Sequence, residues 1–253
     1  MGIKYMRVGS DAVASARLQD APQAEARFMS LLQTLEPAFR EVVRQALFDV
    51  NGRFTKFAMA PSSAAGHHSM PGGNLLHTLD VADCALQIAA RYEGLVDNQV
   101  LLTAALLHDI GKAEEYQKLP HAVTLSEWGA MLGHKLLGCA MVWTALEPLR
   151  AQSEERALAV MNAIGSSAGR SFDMRGPATL EAIILSKADQ ISAAADLYRQ
   201  SLQSCRAFQG LRHRHLAEAP RHPCALPRLP DASAPKPPIQ SSRAKWYSAR
   251  RGA

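Results

Sequence analysis

The sequence predicts an all-α protein: a helical bundle with an N-terminal helical extension and a polar, basic C-terminal tail. Two observations carry this reading. Apolar residues recur at helical spacing in successive stretches between residues 21 and 203, and alternating strand patterns are almost absent. Gly- and Pro-marked breaks separate those stretches, and no internal repeat is visible.

Taken in order, residues 1–20 are small and polar and read as a flexible arm. They lack the apolar centre of a secretory signal, and Gly2 opens no convincing acylation pattern. From Ala21 to about Asp49, Phe28, Leu31, Leu32, Leu35, Phe39, Val42, Val43, Ala46 and Leu47 repeat at helical spacing, with Pro37 dividing the stretch in two. This N-terminal helical segment spans 21–53. The main body spans 54–205. Within it PGGNLLHTLDVADCALQIAARY reads as a Gly-marked loop feeding a helix, and NQVLLTAALLHDIG as a short helix apolar on nearly every side. After a polar connection around Pro120 come SEWGAMLGHKLLGCAMVWTAL and EERALAVMNAIG, and Gly176-Pro177 precedes the last long helix. Residues 206–253 hold seven of the 14 prolines with few large apolar residues; such a segment cannot bury enough surface to fold by itself and reads as disordered.

Composition narrows the function classes. No apolar run approaches the roughly 20 residues needed to cross a bilayer, so no membrane partner is expected. Cys84, Cys139, Cys205 and Cys224 form no CxxC pair, which argues against a thiolate zinc site or a disulfide scaffold and suits a reducing cytoplasm. The net charge of +5 is unevenly spread. From Arg206 onward ten Lys and Arg face Glu218 and Asp231, whereas the preceding 205 residues carry 18 basic and 21 acidic side chains. The tail, with Trp246 and Tyr247, suits contact with nucleic acid or an acidic surface, or is simply solubilising.

The chemistry concentrates at LLHDIGK, residues 106–112. An apolar helix here ends in His108, Asp109 and Lys112, and uncompensated burial of charge costs several kcal/mol. Candidate partners lie in other apolar helices: His77 in NLLHTLDVA, His134 in MLGHKLL, and Asp189 with Ile183, Ile184 and Ile191 around it. A helical bundle brings such distant residues to one centre. Histidine nitrogens and carboxylate oxygens suit a divalent transition metal, and adjacent ligands can share one at a helix end that Gly111 loosens. Such an ion acidifies water and polarises a phosphoryl oxygen, and Lys112 can neutralise a phosphate. Each residue also has an ordinary role open to it. A buried histidine can be a hydrogen-bonded core residue, Asp109 can face a helix N-terminus, Lys112 can serve a helix C-terminus, and Asp189 can pair with Lys187 or Arg199.

The order His77, His108-Asp109, Asp189 resembles the HD-domain superfamily of metal-dependent phosphohydrolases. HHSMPGGNLLHTLDVA, LLTAALLHDIGKAEEY, LGHKLLG and LEAIILSKADQISAAADL are similar to the HD domain of YhaM-type 3′-to-5′ exoribonucleases over roughly Phe54–Gln203. The first two blocks also resemble the HD-like domain of TraI-type relaxases of integrative conjugative elements. The resemblance implies a divalent metal cofactor (Mn, Fe, Zn, Ni or Mg) held by His77, His108, Asp109 and Asp189. Asp109 would bridge to a second ion ligated by His134, Lys112 would face the substrate phosphate, and His67 and His68 would lie near the cleft. It implies a nucleotide or single-stranded nucleic acid as partner and a phosphodiester as substrate.

Two departures qualify the resemblance. YhaM-type proteins carry a histidine pair in an SHHG-like segment before the last helix, where this chain reads AIGSSAGR, with Ser166, Ser167 and Ala168. Serine is a poor ligand for a transition metal, so the expectation is one well-held ion and a weak second site. The nucleic-acid-binding barrel that precedes the HD domain in those enzymes has no counterpart in the roughly 50 helical residues here. The alternative is a non-catalytic nucleic-acid-binding or DNA-processing protein of the same fold.

Overall fold

A computed structural model describes residues 21–50, 52–63, 66–119, 122–166 and 176–215. The flexible arm expected at 1–20, Ser167, Ala168, and residues 216–253 of the tail lie outside them. The chain divides into two units, 1–203 and 204–253.

The order of elements is α1 (Ala21–Thr34), α2 (Pro37–Leu47), α3 (Arg53–Met59), α4 (Gly73–Ala89), α5 (Asn98–Leu107), α6 (Lys112–Glu115), β1 (Tyr116–Leu119), β2 (Ala122–Leu125), α7 (Glu127–Ala145), α8 (Glu147–Gln152), α9 (Glu154–Ser166) and α10 (Leu180–His215). Among the described residues the fold is all-α apart from one antiparallel hairpin, in which Tyr116 pairs with Leu125 and Leu119 with Ala122. That hairpin falls on the polar connection around Pro120. Four-residue strands are too short to give a readable alternation. The break at Pro37 is as expected, and the final helix continues to His215.

Every residue of α5 from Val100 to Leu107 is buried. The reason is its position: α4, α9 and α2 pack around it, so no face is left for polar side chains. Its start is fixed by polar groups instead. Asp97 accepts hydrogen bonds from the Gln99 and Val100 amides (2.9 and 3.2 Å), and its own amide donates to Glu181 (2.7 Å). Arg156 of α9 donates to the same Asp97 carboxylate at 2.7 Å, reaches Glu36 between α1 and α2, and lies over the Phe39 ring. One guanidinium thus gathers the ends of four helices.

The N-terminal segment shares the core of the main body. Phe28, Phe48, Phe54 and Phe57 form one aromatic cluster, with Phe48 and Phe54 stacked at 4.7 Å. Aromatic packing of this kind adds about 1 kcal/mol per pair beyond burial. Buried Asn74 then links α3 to α4, donating from its side chain to the Phe57 carbonyl and from its amide to the Ala60 carbonyl.

Among the described residues no helix is long and apolar enough to cross a membrane.

The cap at Asp97 sets where α5 begins, and thereby where LLHDIGK ends. Burial pushes this carboxyl up, but Arg156 and the two amides outweigh it and hold it below its ordinary value. A depressed carboxylate contributes stability that is full above the unfolded value of about 4 and disappears as the pH falls through the folded one. Asp97→Ala is therefore expected to cost about 1–2 kcal/mol at pH 7, read by urea denaturation, with the gap to wild type closing below about pH 4.

Candidate metal centre

α5 stops at Leu107, and His108 to Gly111 form a turn before α6 begins at Lys112. Gly111 has helical dihedrals (φ −60°), so it is not there for conformational freedom. Its role is close approach. A Cβ at this position would lie 1.8 Å from the His134 carbonyl oxygen and 2.6 Å from the Gly138 amide nitrogen. The turn therefore rests on the backbone of α7, which brings His108 and Asp109 against His134 and Lys135.

α7 is itself interrupted. Gly133 takes φ 69°, ψ 161°, which only glycine adopts without strain, and the helical hydrogen-bond pattern breaks at this point. The His134 amide donates to Glu115 instead, at 3.0 Å, and the His134 ring contacts the same carboxylate oxygen through Nδ1, also at 3.0 Å. Glu115 is delivered by α6, whose end is tied to α7. Ser126 donates its hydroxyl to the Glu114 carbonyl and accepts from the Gly129 amide, while Gly129 sits so close to Glu115 that a Cβ would meet its carbonyl at 2.2 Å.

Around Asp109 the buried polar groups converge. Its Oδ2 lies 3.4 Å from His108 Nε2 and 3.7 Å from His77 Nε2, and these two nitrogens are 3.4 Å apart. The ligand atoms of His77, His108 and Asp109 all lie within 4.8 Å of one another. Asp189 joins through His77, 3.0 Å away, and is 21% exposed where the other three are buried. On the opposite side, Asp109 Oδ1 faces His134 Nε2 at 3.6 Å. Two ammonium groups compensate the carboxylate: Lys112, in direct contact with Oδ2, and Lys135, 3.5 Å from Oδ1. Burial would raise the Asp109 carboxyl, but Lys112, His108 and Lys135 hold it well below the usual carboxylate range.

The donor set fits a divalent ion. The Ala105 carbonyl can only accept, so the 2.8 Å contact to it places a proton of His108 on Nδ1 and leaves Nε2 as the ring nitrogen that can ligate. Nε2 faces the Asp109 carboxylate at 3.4 Å, the spacing of two ligands on one ion. Ser192 lies 3.1 Å from His77 Nδ1 and, as a hydroxyl, supports either tautomer. Burial pushes His77 down to about 4, so its ring is neutral and able to ligate near pH 7. Bonds of 2.0–2.2 Å around one metal separate ligand atoms by roughly 2.8–3.6 Å, close to the spacings found here.

The remaining expected residues divide. The His67 ring lies tilted beside His77 with centroids 4.9 Å apart, and burial, with Lys112, lowers its basicity. His68 also sets its ring beside His77, with centroids 5.6 Å apart. Its φ of 44° reverses the chain, its amide donates to Asp196 at 2.7 Å, and its ring lies between Asp196 and Asp80 at 3.7 and 3.6 Å. Asp189 does not use Lys187 or Arg199, which bond Gln190 and Asp196. Ile183 and Ile191, which the sequence places around Asp189, are exposed. The Ser166 hydroxyl is committed to the Asn162 carbonyl at 2.6 Å.

Sequence reasoning missed Lys135, Glu115, Ser192 and Asp196. The last two were readable: Asp189, Ser192 and Asp196 follow helical spacing on one face of α10.

Residues 74–194 match the HD domain family. That stretch is similar to an HD domain. Its curated relatives include proteins named 3′-5′ exoribonuclease YhaM. The protein of Bacillus licheniformis is 25% identical over 175 residues, covering 68% of this chain and 54% of the relative. That of Bacillus subtilis is 26% identical with the same coverage, and that of Halalkalibacterium halodurans is 26% identical over 195 residues, 77% of this chain and 59% of the relative. The chain thus spans little more than half the length of the relatives it matches. No solved structure gives a significant match. The matched stretch begins at Asn74, just ahead of His77, and ends at Ala194, just beyond Asp189 and Ser192, so it encloses the convergent residues.

Because Gly111 sits on the α7 backbone, Gly111→Ala is expected to lower stability by about 2–3 kcal/mol. Paired denaturation of variant and wild type checks this, and an unchanged midpoint would show that the turn does not depend on that contact.

Proposed function

We propose that the chain is a metal-dependent phosphohydrolase that cleaves a phosphodiester in a nucleotide or single-stranded nucleic acid. The observation that carries this reading is the meeting of two imidazole Nε2 atoms with a buried aspartate beside a lysine. The HD domain and the exoribonuclease names of the relatives support the substrate class.

In this reading His77, His108, Asp109 and Asp189 hold a divalent ion. Such an ion lowers the pKa of water and polarises a phosphoryl oxygen. Ala105 holds a proton on His108 Nδ1, so Nε2 is the nitrogen that ligates. Lys112 offers its ammonium to the phosphate; besides Asp109 it has the Ser62 hydroxyl, 3.3 Å away, as a partner. His134, 28% exposed and backed by Glu115, lies 3.6 Å from Asp109 and stabilises developing charge.

A second reading, binding without turnover, draws on Ser166. Its hydroxyl donates to the Asn162 carbonyl, and a neutral serine oxygen is a poor metal ligand where YhaM-type proteins have histidine.

The reading predicts stoichiometric Mn, Fe, Zn or Ni in protein purified without a histidine tag, lost in His108→Ala and Asp109→Ala. Wild type should hydrolyse bis(p-nitrophenyl) phosphate or short RNA, with Lys112→Ala slower by about 10²–10³-fold. Metal without turnover on RNA, single-stranded DNA and the chromogenic ester favours the binding reading. No metal after dialysis against Mn²⁺ overturns both the site and the activity.

A further inference from the structure

Asp109 presents two oxygens to two different sets of groups. Oδ2 meets His77, His108 and Lys112. Oδ1 meets His134 and Lys135. A bridging carboxylate between two ions would use both. We infer that Lys135 takes the place of a second cation on Asp109 Oδ1, so that the centre holds a single divalent ion. This rests on the metal-centre reading above and adds the residue that sets the number of ions.

Three features separate the two sides. First, the Oδ2 side has a rich donor set. His77 and His108 each contribute a ring nitrogen, and Asp189 stands 3.0 Å from His77. These donors can outcompete an ammonium, and Lys112 has Ser62 at 3.3 Å as another partner. The Oδ1 side offers only His134 Nε2 among the described residues, since Glu115 holds the other ring nitrogen.

Second, Lys135 is anchored. It is buried, with 6% of its side chain exposed, and donates to the His108 carbonyl at 3.1 Å as well as lying 3.5 Å from Asp109 Oδ1. Moving it away would leave that carbonyl without the bond and the ammonium to find another place in the interior, which is costly. Third, the charges suit one ion. Asp109, Asp189 and Glu115 face Lys112 and Lys135, a balance of one negative charge. One divalent ion makes the cluster singly positive. A second would leave three positive charges in a largely buried site.

The test is the number of ions bound at equilibrium. Chelator-treated protein is dialysed against millimolar Mn²⁺, the bound ion counted by mass spectrometry, and the low-temperature electron paramagnetic resonance spectrum recorded. Wild type is expected to bind one ion with an uncoupled six-line signal. Lys135→Met, which keeps the stem and removes the charge, is expected to bind two with an exchange-coupled signal. Lys135→Gln, which keeps a donor near the His108 carbonyl, should do the same. Two coupled ions in wild type overturn the inference whether or not either variant folds. One ion in a variant whose circular dichroism matches wild type also overturns it. No ion in wild type overturns the metal-centre reading itself, and this inference with it.

Discussion

The structure around the site follows from one requirement: a buried carboxylate, Asp109, has to be compensated where little water reaches it. It closes a helix whose every preceding residue from Val100 is buried. An isolated charge there would cost several kcal/mol even after relaxation. Four elements answer that cost. α6 brings Lys112, α7 brings Lys135 and His134, α4 brings His77, and α10 supports His77 through Asp189 and Ser192. Asp97 at the other end of α5 matters for the same reason. By fixing the start of the helix it fixes how deep the carboxylate lies.

Compensation by ammonium groups alone would have been sufficient for folding. Two lysines already face the two oxygens. The imidazoles add further buried ring nitrogens, each of which needs a partner. At His108, Nδ1 is tied to a backbone carbonyl, and Nε2 points at both the Asp109 carboxylate and His77 Nε2. A cation held among these three atoms satisfies them together, and that is the physical link from the fold to the chemistry proposed.

Much of this was legible in the chain. LLTAALL announced a helix buried on all sides, and a polar triplet at its end demanded partners in other apolar helices. His77, His134 and Asp189 were the residues that qualified, and all three lie within 3.7 Å of a group in the centre. Lys135 was not legible. A single lysine in LGHKLL reads as a side chain reaching out to solvent, and its inward direction depends on the break at Gly133. Glu115 escaped for a related reason. Besides the His134 ring it bonds the His134 amide, which that break frees. Gly111 was singled out with the wrong cause: the sequence suggested a loosened helix end, but the contact with His134 and Gly138 shows that a side chain has no room. Kinks and backbone contacts are properties of two segments at once, and spacing within either segment does not reveal them.

The HH pair shows how such a two-segment property separates neighbours of the same type. His68 takes a left-handed conformation, which for a non-glycine residue costs about 1–2 kcal/mol. Contacts on both sides hold it there. Asp196 binds its amide, the Ser62 amide donates to its carbonyl, and Gly73 lies so close beneath that carbonyl that a Cβ would approach to 2.0 Å. Two adjacent histidines in an extended loop would point in opposite directions by default. Here the reversal at His68 sets its ring between Asp80 and Asp196 and 5.6 Å from His77, while the His67 ring lies 4.9 Å from His77. His68 therefore serves the framework while flanking the proposed metal centre together with His67. The same stripe of α10 that supplies Asp189 and Ser192 to His77 supplies Asp196 to this loop, so the helix that completes the centre also fixes the loop beside it.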